Sequence, residues 1–87
     1  MAELFHMSVV TGEETLFDDY VEYANIPTGF GSVGILAGHA PMLCAVSKGV
    51  LHGTKEGEPF RVRIGTGVAC VEKNELTVLV SDAKTSE

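Results

Sequence analysis

Three histidines, His6, His39 and His52, and two cysteines, Cys44 and Cys70, are the side chains best suited to hold a metal or attack a substrate. A closed metal site needs paired ligands at short spacing. Here the histidines stand singly, and neither cysteine has a Cys or His within four positions. His39 and Cys44 are close enough in sequence for a dyad, in which the imidazole would take the thiol proton. Cys44, however, sits between Leu43 and Ala45 in an apolar run, where a thiol is expected to be inert core. Glu13-Glu14 and Asp18-Asp19 are adjacent, so a strand would split each pair onto opposite faces as solvated acids. Gly29, Gly31 and Gly34 lack the strand-to-helix setting of a phosphate loop. No catalytic residue, metal site, nucleotide site or cofactor is expected, and the chain reads as no enzyme.

The elements that could position such groups are limited by size. A chain of 87 residues makes one domain and buries about 60–65% of the surface its unfolded form exposes. Twelve acids against six bases give a net charge of −6, and in sequence the bases group only as Arg61 and Arg63. Binding to nucleic acid is therefore not expected, nor is docking to anionic lipid. No window approaches the roughly 20 apolar residues of a membrane span, so no direct membrane insertion is expected. Met1–Val10 carries Glu3 and His6 and does not read as a signal peptide. Two cysteines are too few for a small secreted disulfide scaffold; both are expected as buried, reduced thiols. The isolated chain is expected to be a monomer.

No segment holds the helical apolar period. Short runs rich in β-branched residues recur instead, separated by Gly, Pro, Asn or charge clusters. Phe5, Met7 and Val9 alternate with His6 and Ser8, and Phe60, Val62 and Ile64 alternate with Arg61 and Arg63. Thr15–Ile26 reads as two strands bent near Asp18-Asp19. Turns are expected at Thr11–Glu14, Pro27–Gly31, Ala37–Pro41, Ser47–Gly49, Lys55–Glu58 and Glu72–Glu75, with Asn74 able to take a left-handed conformation. Strands this close, with no helix between them, imply antiparallel pairing. The fold class is all-β: a small antiparallel β-sandwich or flattened barrel of about ten short strands, without a C-terminal helical hairpin. Residues 1–83 form that domain, and 84–87 a flexible polar tail.

One segment stands out. From Gly29 to Pro41 the chain reads Gly-Phe-Gly-Ser-Val-Gly-Ile-Leu-Ala-Gly-His-Ala-Pro. Glycine permits positive φ, and Pro41 pushes Ala40 into an extended form. It is either a stiff corner of the sandwich, with His39 a structural imidazole, or a rigid tip presenting Phe30, His39 and Met42 to a partner.

Three blocks carry a resemblance. They are Phe5–Thr11 (Phe-His-Met-Ser-Val-Val-Thr), Gly34–Leu43 with its Gly-His-Ala-Pro core, and Leu76–Ala83 (Leu-Thr-Val-Leu-Val-Ser-Asp-Ala), with Lys48-Gly49-Val50-Leu51 between the last two. In order and spacing they resemble the epsilon subunit of the F-type ATP synthase, called delta in mitochondria. The likeness runs over essentially the whole chain.

The resemblance implies a ten-stranded N-terminal sandwich at the foot of the central stalk. There it would be a non-catalytic rotor subunit that joins the gamma subunit to the c-ring and couples proton or sodium translocation to ATP synthesis and hydrolysis. Its place would be the cytoplasmic face of the bacterial inner membrane, peripheral through the complex. The residues themselves read as a short strand at Ser32–Leu36 between two loops. By position in the family, Gly31, Ser32, Val33 and Gly34, as a turn, and the loop Gly38, His39, Ala40, Pro41 and Met42 would contact those partners. Two residues depart from the family: Ser32 stands where an acid is common, and Ala37 where proline is common. Ala37 leaves its corner less constrained, at about 0.4–1 kcal/mol. The family usually continues into two helices that form an inhibitory latch and in some members bind ATP. Ending at Glu87, the sequence is expected to carry the coupling half without that latch. The rival reading is a free-standing β-sandwich that binds a ligand or peptide at its loop end.

Overall fold

A computed structural model describes residues 3–86, and these form ten strands and no helix. In chain order they are β1 (Phe5–Val10), β2 (Thr15–Val21), β3 (Tyr23–Thr28), β4 (Gly31–Leu36), β5 (Met42–Val46), β6 (Gly49–Lys55), β7 (Glu58–Ile64), β8 (Gly67–Glu72), β9 (Glu75–Val80) and β10 (Ala83–Ser86). Two five-stranded sheets result: a front sheet in the order β2-β1-β9-β8-β5 and a back sheet in the order β10-β7-β6-β3-β4. They are separate layers rather than a closed barrel.

Period-two alternation explains why these residues form these layers. Met7, Val9, Val21, Ala69, Leu76 and Val78 from the front meet Ala24, Ile26, Ile35, Leu51 and Val62 from the back, all essentially inaccessible. No polar or charged residue is buried among the described ones, so the core has no internal polar group to satisfy. Phe5, Met7 and Val9 point inward as the alternation implies, and so do Val62 and Ile64, with Phe60 half-buried beside Phe17.

Local chemistry sets the ends of the strands. The β6–β7 and β8–β9 hairpins each turn through two residues in the left-handed region, Glu56-Gly57 (φ 53° and 78°) and Lys73-Asn74 (φ 51° and 60°). Mirror-image turns of this kind match the twist of the strands they join.

Four expectations need correction. The chain breaks between β2 and β3 at Glu22, not near Asp18-Asp19. Glu22 N–H donates to the Thr54 carbonyl, and its carboxylate accepts from Gly57 N–H. These long-range partners let the chain cross between sheets there. Pairing is not wholly antiparallel, because β1 runs parallel to β9, with His6 opposite Glu75 and Val10 opposite Leu79. The cysteines are not both buried: Cys44 is half-buried against the core, and Cys70 is exposed. Residues 84–86 are not a tail, since Ala83–Ser86 pair antiparallel with Ile64–Arg61 of β7; Glu87 lies outside the described residues.

Candidate interaction surfaces

The nine residues singled out in sequence fall along one side of the sandwich. The short strand read at Ser32–Leu36 is present as β4, an edge strand paired only with β3. Gly31, Ser32, Val33 and Gly34 form its first part rather than the turn that the resemblance implied. The turn before them is the two-residue loop Gly29-Phe30, closed by Thr28 Oγ1 donating to the Gly31 carbonyl at 3.0 Å. The Phe30 ring is fully exposed at that tip. At the other end of β4, about 20 Å away at the rise of a strand, the chain enters Ala37–Pro41 and crosses to β5, the edge of the front sheet. The structure therefore strings Gly31–Gly34 and Gly38–Met42 along an edge and does not gather them into one tip. Phe30 and His39 lie at opposite ends of it.

The Gly38 corner is built rather than loose. Gly38 has φ +82°, and His39 N–H donates to the Leu36 carbonyl at 3.2 Å. A turn with positive φ at its third residue favours glycine there and tolerates proline at the second, the place Ala37 fills. Gly38 N–H also donates to Asn74 Oδ1 at 2.7 Å, tying the corner to the β8–β9 hairpin. His39 Nδ1–H donates to the Ala40 carbonyl at 2.7 Å and is half-buried. Met42 packs against the core rather than facing outward. Cys44 lies along the core side of β5, and no hydrogen bond joins it to His39 among the described residues, so the dyad is not assembled. At the loop end, Pro41, Met42, Leu43 and Cys70 line an open recess of about 350 Å³.

A larger feature was missed in sequence. Leu43, Ala45, Val68, Cys70 and Leu79 occupy the outward positions of β5, β8 and β9, and all are exposed, Leu43 at 73%. Register places Ala45 beside Val68, Val68 beside Leu79 and Leu43 beside Cys70. They form a continuous apolar patch on the outer face of the front sheet. The signal was present: Met42-Leu43-Cys44-Ala45-Val46 has no polar residue at any alternate position. A strand with one face in water alternates, whereas an unbroken apolar run marks cover on both faces.

Beside this patch the front sheet turns polar. His6 Nε2 lies 2.5 Å from Asp18 Oδ1 and its Nδ1 3.4 Å from Glu75, while its ring meets Tyr20 edge-on. No nucleophile stands in this group, and no three-residue metal-holding group occurs among the described residues. Between the layers, Lys55 of β6 pairs with Asp19 of β2. The Lys55 hydrogen bond, helped by the Tyr20 N–H, holds the Asp19 carboxyl below the ordinary carboxylate range, and Asp19 raises the Lys55 ammonium in turn.

Comparison with known proteins gives a consistent picture. The family model for the ATP synthase delta/epsilon chain β-sandwich domain matches residues 4–86. The ATP synthase epsilon chain of Lawsonia intracellularis is 36% identical over 84 residues, covering 97% of this chain and 63% of that one. That of Synechococcus sp. strain JA-2-3B'a(2-13) is 39% identical over 79 residues, covering 91% and 58%. The chain thus spans about three fifths of the length of these curated relatives. Among solved structures, it superposes on a chain of the Euglena gracilis mitochondrial ATP synthase (OSCP/F1/c-ring) with a TM-score of 0.88 at 22% identity, covering 94% of this chain and 53% of that one. A chain of the Tetrahymena thermophila ATP synthase central stalk and c-ring follows at 0.76 and 13%, covering 95% and 67%. At those identities the likeness establishes the fold.

Proposed function

The chain belongs to the ATP synthase delta/epsilon family, whose members are non-catalytic subunits, and from that premise we propose that it joins the gamma subunit to the c-ring in the central stalk. The observation that carries the reading is the family match over residues 4–86, which takes in every strand.

The gamma subunit takes the apolar outer face of the front sheet. Each Leu or Val side chain buried there contributes about 1.5–3 kcal/mol, and the polar rim of His6, Asp18 and Glu75 fits the usual anatomy of an interface. The c-ring meets the β4 edge and the corner after it, through Gly31, Ser32, Gly34, Gly38, His39, Ala40 and Pro41, with Val33 and Met42 packing that edge onto the core. Ser32 offers that contact a hydroxyl rather than a charge. Phe30 and Leu36, both exposed, add apolar area along the same edge.

Torque must pass between ring and shaft without slipping. Two hydrogen-bonded sheets over a dry core make a stiff wedge for that task, and the Gly38–Asn74 bond ties the corner to the front sheet. Rotation so transmitted couples translocation of a proton or sodium ion to ATP synthesis and hydrolysis. The subunit sits at the cytoplasmic face of a bacterial inner membrane, held there by its partners.

Co-elution of the chain with purified gamma subunit on a sizing column tests the reading. A one-to-one complex that survives replacement of Gly38–Pro41 by a flexible linker, and is lost in Leu43→Glu/Val68→Glu, supports the assignment of faces. Separate elution at micromolar concentration overturns it.

A further inference from the structure

The outer face of the back sheet has a different chemistry. Its outward positions on β6, β7 and β10 include Val50, His52, Arg61, Arg63 and Lys84, and Lys48 stands just before β6; all six are exposed. Register sets His52 beside Arg61, Val50 beside Arg63 and Lys84 beside Arg63. Four of the chain's six Lys and Arg residues therefore share one face of a protein whose net charge is −6. None of the four makes an ion pair among the described residues, whereas Lys55 pairs with Asp19.

The face is also concave. One recess of about 400 Å³ is lined by Val50, His52 and Arg61 among others. A second of about 370 Å³ is lined by Lys48, Val50, Arg63 and Lys84, with Asp82 as its one acid. The two share Val50, so they run on as a groove along the β6–β7 pair.

We infer that this groove docks an extended acidic segment of a partner protein. Residues two apart on a strand are separated by about 6.6–6.8 Å, which is the spacing between Arg61 and Arg63. An extended peptide has the same repeat. Carboxylates at its alternate positions would meet Arg61 and Arg63 in turn, with Lys48, Lys84 and His52 flanking and Val50 beneath an apolar residue. Cations in successive rows suit a line of charges; a single phosphate needs them to converge on a point. The net charge of −6 repels a membrane or nucleic-acid surface as a whole, whereas a narrow acidic strand meets only the basic groove. This inference does not rest on the gamma or c-ring assignment, which uses the front sheet and the β4 edge.

The test is titration of the intact chain with a labelled peptide of alternating Glu and Ser at low salt, read by fluorescence anisotropy and by backbone amide NMR shifts. Saturable binding with shifts centred on Val50, His52, Arg61 and Arg63 is expected, weakening as salt is added. Arg61→Glu/Arg63→Glu is expected to weaken it roughly tenfold or more, and Lys73→Glu, on the distant β8–β9 turn, to leave it unchanged. Should the double Glu variant unfold, Arg61→Gln/Arg63→Gln keeps the stems and removes the charge. The idea is overturned by absent binding, by shifts on other strands, or by equal loss in Lys73→Glu. It is overturned too if inorganic phosphate competes as well as the peptide, or if vesicles containing phosphatidylglycerol bind more tightly. Self-association through this face in sedimentation would assign the groove to a second copy and also sink the proposal.

Discussion

The front and back sheets share one core and one strand geometry, yet their outer faces have opposite characters. On β5 and β8 the outward residues Leu43, Ala45, Val68 and Cys70 are as apolar as a core. On β6 and β7 the outward residues Arg61 and Arg63 are cationic, with the polar His52 beside Arg61. The first kind of face loses free energy in water and gains it under a permanent cover. The second is stable in water and gains only modestly from a screened partner. A single sandwich can therefore hold one constant neighbour and meet another transiently, with the two surfaces separated by the thickness of the core.

Removing what the faces share has the largest effect. Leu76 is inaccessible in the core, and Leu76→Ala is expected to cost about 2–5 kcal/mol, measured by denaturant unfolding, with gamma binding and peptide binding lost together. Loss of one alone would show that the faces are not supported by a common core. Next, Leu43→Glu/Val68→Glu is expected to weaken gamma binding roughly thirtyfold or more, as hot-spot truncations do, while the melting temperature and peptide binding hold. The reciprocal variant, Arg61→Glu/Arg63→Glu, should leave the gamma complex intact on the same column. If it disrupts gamma binding, the division between the faces is wrong.

Smaller effects sharpen the picture. Gly38→Ala forces a side chain into positive φ, a change of about 1–2 kcal/mol in thermal unfolding, with the front patch untouched. Last comes the Asp19–Lys55 pair, which bridges the layers at the surface. Asp19 is depressed when folded, so its contribution is present above the ordinary carboxylate value and disappears as pH falls through the folded one. Lys55 is raised, so its contribution holds at neutral pH and fades only as pH climbs through its folded value. In parallel unfolding series, Lys55→Met should be slightly less stable than the parent at neutral pH and indistinguishable from it in strong acid. A difference persisting in acid would mean that the stem of Lys55 matters rather than its charge.

What the sequence disclosed follows from which interactions are local. Alternation at Phe5–Val9 and Phe60–Ile64 needs only neighbours along the chain, and the all-β sandwich could be read from it. The left-handed Asn74 was legible for the same reason. The break at Glu22 was not, because its partners Thr54 and Gly57 lie on another hairpin. Lys84, Thr85 and Ser86 look like a polar end until β7 offers them a ladder. The short strand Ser32–Leu36 was legible between its glycine-bearing loops, and only the turn assigned to Gly31–Gly34 by the family resemblance fails. The basic groove is invisible in sequence: Lys48, Arg61, Arg63 and Lys84 come from separate segments that only the back sheet sets side by side. The apolar front patch was legible in principle from the unbroken run at Met42–Val46, but burial in the fold and burial under a partner leave the same mark.

The parallel pairing of β1 with β9 has a consequence for how the molecule is made. One neighbour of β1, β2, follows it at once in the chain, but the other, β9, is separated from it by seven strands. Until β9 arrives, one edge of β1 stays open and the front sheet is in two pieces. Contacts between distant parts of a chain slow folding, so closure of this seam is expected as the late step, after the β6–β7 hairpin has formed. During that interval the exposed edge of β1 is the place where a nascent chain could pair with the wrong strand.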